Sequence, residues 1–142
     1  MDWKTILVPH DFSAPANHAA AMARDLAKLT RGRVLLLHVI ELPYQMQPDM
    51  VIMPMPTNAP VSVRDYALAT AEAHVEDLAK RLVQDGVAAS TFVRFGSPVT
   101  EILQLADDEK ADLIVMGTHG RTGLRHLLIG SVAERVVRMS PH

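Results

Sequence analysis

The chain of 142 residues has no cysteine. That excludes a disulfide framework, thiolate metal ligation and cysteine-based catalysis, and it suits a reducing compartment. Charge of one sign is not in excess: 14 Lys and Arg stand against 16 Asp and Glu, a net charge of −2. No general basic field therefore draws the protein to nucleic acid, and no nucleic-acid partner is expected. Long apolar runs are missing too. Met1-Asp2-Trp3-Lys4 opens no signal-peptide core, and no stretch reaches the length of a membrane span. The expectation is a cytoplasmic protein without a membrane span. H-E-x-x-H, G-x-G-x-x-G and the Walker pattern G-x-x-x-x-G-K-[ST] do not occur.

What the chain does have is an alternation of apolar runs and helical stripes. Thr5-Ile6-Leu7-Val8, 34–40, 89–94 and 112–116 read as strands. The first, second and fourth are continuously apolar, the mark of strands buried on both faces, whereas 89–94 alternates and is expected at an edge. Helices are expected over about 14–30, 61–85 and from Pro98 onward. Their buried stripes are Ala19, Met22, Ala23, Leu26 and Leu29 in the first; Leu68, Ala71, Val75, Leu78, Ala79 and Leu82 in the second; Val99, Ile102, Leu103 and Ala106 in the third. Gly32 and Gly86 are the stop signals, Ser97 is the expected N-cap before Pro98, and Asp77 and Arg81 form an exposed pair four apart. A fourth helix is expected after Ser131. The order βαβαβαβα predicts α/β layers around a parallel sheet with right-handed crossovers.

The stretch 41–60 departs from this rhythm. It carries Pro43, Pro48, Pro54, Pro56 and Pro60 with Met46, Met50, Met53 and Met55. The prolines exclude a regular helix or central strand. A loop of this length is either a functional lid or partner contact with an adaptable methionine surface, or a variable insertion. It is too short for a second domain, so one domain is expected over 1–142.

Chemistry concentrates after the fourth strand, at Gly117-Thr118-His119-Gly120, nine further residues, then Gly130-Ser131. Strand, glycine loop and helix in that order make an anion site, where free N–H groups and the positive end of the dipole collect at the helix start, or else the glycines simply terminate a strand and open a helix. Glycine lets the backbone approach a ligand closely. Between Met116 and Val132 there is no carboxylate, while His119, Arg121, Arg125 and His126 lie there. At the end of the first strand, Pro9-His10-Asp11-Phe12-Ser13 makes a turn where ligands of open parallel sheets bind. Asp11 is placed either to accept hydrogen bonds from a ribose or base, or to serve as a turn carboxylate. Val39 can present its backbone to an adenine edge. His38 is expected to be a satisfied core or strand-end histidine, and His18 faces solvent. The acidic run 107–109 is expected as a solvated helix end.

The spacing G-x-x-G-x9-G-[ST] resembles the signature of nucleotide-binding universal stress proteins, with Gly117, Gly120, Gly130 and Ser131 at every fixed position. Ile6 through Ser13, Leu36-Leu37-His38-Val39, Gly96-Ser97-Pro98, and Asp112 through Glu134 are similar to that family's strands and junctions. The resemblance implies a Rossmann-like open parallel sheet with helices on both faces, strand order 3-2-1-4-(5), and a homodimer. It implies ATP with Mg as the cofactor, with Asp11 and Val39 near ribose and adenine and the glycines and Ser131 on the phosphates. The full set expected to bind it is Pro9, His10, Asp11, Val39, Met116, Gly117, His119, Gly120, Arg121, Gly130, Ser131 and Val132. Members continue past the last helix into a fifth strand. Here the sequence runs to Ser140-Pro141-His142, so that strand is expected to be absent from it or supplied from elsewhere.

The function expected on this reading is a nucleotide-dependent stress-response or signalling module that acts on a protein partner. Two alternatives remain: a slow ATP-hydrolysing or autophosphorylating enzyme, in which His119 orients water, and a partner-binding domain without nucleotide. Efficient turnover is not expected, because no Walker lysine or carboxylate base stands beside the phosphates. A phosphate-receiver domain would want clustered acids after the first strand and a late lysine, and neither is present.

Overall fold

The computed structural model describes residues 3–41, 51–52 and 60–117. The main sheet contains β1 (Thr5–Pro9), β2 (Arg33–Ile40), β5 (Ala88–Phe95) and β6 (Leu113–Ile114). Its order is β5-β2-β1-β6 and every pairing is parallel. Counting only these four strands, the order is the expected 3-2-1-4, with the third strand at one end. The register sets Ile6 beside Val34 and Leu7 beside Leu35.

The pleat sorts the core into two layers. Ile6, Val8, Val34 and Leu36 face α1 (Ala14–Thr30) and α2 (Val63–Gln84), where they meet Ala19, Ala23, Ala27 and Leu82. Leu7, Leu35 and Leu37 face α3 (Pro98–Asp108), where they meet Val99, Ile102, Leu105 and Ala106. Side chains alternate between faces along a strand, so a continuously apolar run feeds both layers. The α/β architecture with helices on both faces is thus as expected.

Several local expectations are corrected. The buried face of α1 is Ala16, Ala19, Ala23 and Ala27, whereas Met22 and Leu29 are 63% and 83% exposed. Methyl side chains let the helix lie close to the sheet, Met22 and Leu29 rotate outward, and Leu26 packs half-buried against the same layer. In α3, Leu105 is fully buried beside the expected residues, while Leu103 packs half-buried against the same cluster. The left-handed residue ending α1 is Arg31, at φ 57°, and not Gly32. Gly32 is required for another reason: a Cβ there would lie 2.6 Å from the Lys4 carbonyl oxygen. α2 begins at Val63, later than expected, because Ser62 caps it by accepting from the Asp65 N–H at 3.0 Å.

The Pro/Met stretch is not wholly irregular. β3 (Val51–Ile52) pairs antiparallel with β4 (Val61–Ser62), apart from the main sheet. The rest of that stretch, 42–50 and 53–59, lies outside the described residues, as do the fourth helix and any fifth strand. The expected Asp77–Arg81 pair forms at 3.3 Å on exposed α2. Among the described residues no helix is long and apolar enough to cross a membrane.

Candidate functional site at the carboxyl ends of β1, β2 and β6

The chain leaves β1 toward β2 through α1, and returns from β5 to β6 through α3 on the opposite face. The direction of winding therefore reverses between β1 and β6. Helices diverge at such a point and leave a crevice beyond the carboxyl ends of the strands. The segments that end there are Pro9 to Ser13 after β1, His38 and Val39 in the last part of β2, and Met116 and Gly117 after β6.

His10 is the hub of the β1–α1 turn. It is only 3% exposed. Its backbone N–H donates to the Leu37 carbonyl at 2.7 Å, and its carbonyl lies 2.8 Å from His38 Nδ1. The Phe12 N–H donates to His10 Nδ1 at 2.9 Å, and His10 Nε2 lies 2.9 Å from Asn17 Oδ1. All four polar atoms are thus engaged inside the protein. A backbone N–H can only donate, so Nδ1 is the bare nitrogen and Nε2 carries the proton toward Asn17. Burial pushes the His10 pKa below 6.5; the Asn17 hydrogen bond and the Asp11 charge oppose this, and His38 adds to it. The ring of His10, a residue expected in the nucleotide-binding set, thus supports the turn from inside.

Asp11 and Ser13 form the next layer. Asp11 Oδ1 accepts from the Ser13 N–H at 3.0 Å and also bonds the Ser13 hydroxyl. The Ser13 hydroxyl accepts from the Ala16 N–H at 3.3 Å and caps α1. The turn role foreseen for Asp11 is thus present, and the half-buried carboxylate sits at the crevice. No acidic residue occupies the first turn of α1.

Between Asp11 and Ser13, Phe12 takes φ 66°, a conformation side chains rarely adopt. Its ring stacks on His38, with centroids 4.3 Å apart and planes at 23°, and meets His74 of α2 edge-on at 4.6 Å. Phe12 belongs to the turn singled out in the sequence, but nothing in the sequence groups Asn17 and His74 with it. They lie on α1 and α2, and the packing of these helices against the sheet brings them to the turn. His38 is satisfied at the strand end, as expected. Among the described residues, no three His, Asp or Glu side chains are grouped to hold a metal ion.

Val39, expected near the adenine, and Met116, expected among the binding residues, are half-buried and pack against the same α3-side cluster. Gly117 follows, and a Cβ built on it would stand 2.9 Å from Pro15 Cβ and 3.1 Å from the Pro15 carbonyl carbon. His119, Gly120, Arg121, Gly130, Ser131 and Val132 lie outside the described residues.

Comparisons with known proteins bear on the family and the fold. The universal stress protein MJ0577 of Methanocaldococcus jannaschii is 32% identical over 97% of this chain and 90% of its own length. A universal stress protein of Thermus aquaticus is 35% identical over 98% of this chain and 94% of its own length. The solved structure of MJ0577 superposes with a TM-score of 0.79, covering 99% of this chain and 92% of that one at 30% identity. The family model of the Universal stress protein family matches residues 2–142, and the chain belongs to the universal stress protein family.

Proposed function

We propose that the protein binds an adenine nucleotide, ATP with Mg, in the crevice between the β1 and β6 ends, and acts through it as a stress-response signalling module. The observation that carries this reading is the G-x-x-G-x9-G-S pattern that starts at Gly117, where β6 delivers the chain to the crevice. The residues fit the ligand. Val39 and Met116 offer apolar surface to a base, and Asp11 offers a carboxylate to ribose hydroxyls. Gly117, Gly120, Gly130 and Ser131 follow as the phosphate cradle, flanked by His119, Arg121 and Val132, with no carboxylate between Met116 and Val132 to repel it. Mg is a hard cation commonly carried on nucleotide phosphates, so it needs no all-protein cage.

Two solved universal stress proteins are in complex with cAMP and with dAMP. At 23% and 19% identity they share the fold, and the argument for this chain rests on its own residues. The protein works as one domain over 1–142, in the cytoplasm and as a homodimer, with the methionine-bearing stretch 41–60 facing a protein partner.

The test is to purify the protein without added nucleotide, denature it and identify the small molecule released, then titrate the emptied protein with MgATP. Near-stoichiometric adenine nucleotide and saturable binding are expected. Gly120→Val and Gly130→Val should each abolish binding by filling the cradle. Absence of both released nucleotide and MgATP binding overturns the reading.

A further inference from the structure

The Phe12 backbone is held in a left-handed conformation that favours glycine. Three contacts hold it there: its N–H on His10 Nδ1, its ring on His38, and its edge on His74. Of the three, the hydrogen bond is the one that engages the backbone directly. His10 can serve as acceptor only while neutral, with its proton on Nε2 toward Asn17. A second proton has one place to go, Nδ1, and there it would face the Phe12 N–H donor to donor.

Phe12 stands between the two residues that build the turn. Asp11 Oδ1 receives the Ser13 N–H, and Ser13 caps α1. Releasing Phe12 therefore releases Asp11 from its place at the crevice. We propose that His10 is a positioning residue for the nucleotide site: its neutral ring clamps the Phe12 turn and with it the Asp11 carboxylate, and protonation at Nδ1 opens the clamp, so affinity for nucleotide falls in mild acid. This inference rests on the nucleotide reading above.

The charged and titratable groups around the clamp, among the described residues, are few. Asp11 in the same turn favours the proton, and His38 on β2 opposes it. Asn17 on α1 is neutral, and His74 on α2 meets Phe12. Burial outweighs the Asp11 charge, so the ring is neutral near pH 7 and titrates below its ordinary range.

The experiment compares the whole chain with His10→Asn, whose Oδ1 stands near the position of Nδ1 and does not titrate. MgATP affinity is measured by calorimetry from pH 8 to 5.5 in both. Protonation of ATP itself is common to the two proteins and cancels in the ratio of their dissociation constants. The wild-type constant should rise by about tenfold more per pH unit than that of the variant, once pH is below the His10 midpoint. In the wild type alone, the Phe12 amide resonance should titrate with the midpoint of the His10 ring. Parallel pH profiles, or a Phe12 amide indifferent to the His10 ring, overturn the clamp. Absence of MgATP binding at every pH overturns the nucleotide reading instead, and the Phe12 resonance still decides whether His10 holds the turn.

Discussion

Gly117 rests against Pro15, so the end of β6 and the first turn of α1 meet with no room for a side chain between them. A Cβ at Gly117 would lie 2.9 Å from Pro15 Cβ and 3.2 Å from the Pro15 carbonyl oxygen. The first glycine of the motif therefore has a packing role apart from any ligand. Gly117→Ala forces helix and strand apart and should destabilise the nucleotide-free protein by about 1–3 kcal/mol. Urea unfolding without nucleotide checks this; an unchanged midpoint would show that the contact is not limiting.

Two serines at helix starts look alike in the sequence and differ in the structure. Ser62 accepts from the Asp65 N–H at 3.0 Å, whereas Ser97 occupies the N-cap position with no side-chain cap bond. Ser62→Ala should cost about 1 kcal/mol, the usual worth of a cap, and Ser97→Ala clearly less. Paired thermal melts decide, and equal losses would contradict the assignment.

The architecture was legible because buried parallel strands announce themselves. Ile6-Leu7-Val8 and Val34 to Leu37 serve two core layers at once, which no alternating strand can do. The face of α1 was not legible. Periodicity marks an apolar stripe, and it does not distinguish a methyl from an isobutyl group. Contact distance makes that distinction, and here it selects Ala19, Ala23 and Ala27 over Met22 and Leu29. The site was legible where it is sequential, in Asp11 and its turn. It was hidden where it depends on cross-strand register, as in the meeting of Phe12 with His38, and on helix packing, as in its meeting with His74.

The α1 packing has a direct test. Ala23 is fully buried between helix and sheet, and Leu29 is 83% exposed. Ala23→Leu overfills a close-packed layer and should cost about 1–3 kcal/mol or more. Leu29→Ala should stay within about 0.5 kcal/mol. Denaturant titration of both variants measures the contrast; a larger loss at Leu29 would place the buried face on the other side of the helix.

His10 should make folding stability depend on pH with a defined sign. Its folded pKa lies below the ordinary 6.5, chiefly because burial disfavours the charged ring. The unfolded chain then binds this proton more readily than the folded one. Its contribution to stability is complete above pH 6.5, falls as pH drops from there toward the folded pKa, and falls no further beneath it. The steepest slope a single group can give is about 1.4 kcal/mol per pH unit. The other histidines titrate as well, so the measurement is the difference in unfolding free energy between wild type and His10→Asn from pH 8 to 5. Relative to the variant, the wild type should lose stability as pH falls below 6.5. A difference that stays constant with pH, or one that grows in favour of the wild type in acid, would mean that the folded protein takes up the proton as readily as the unfolded chain, so that neither burial nor the Phe12 hydrogen bond keeps the ring neutral.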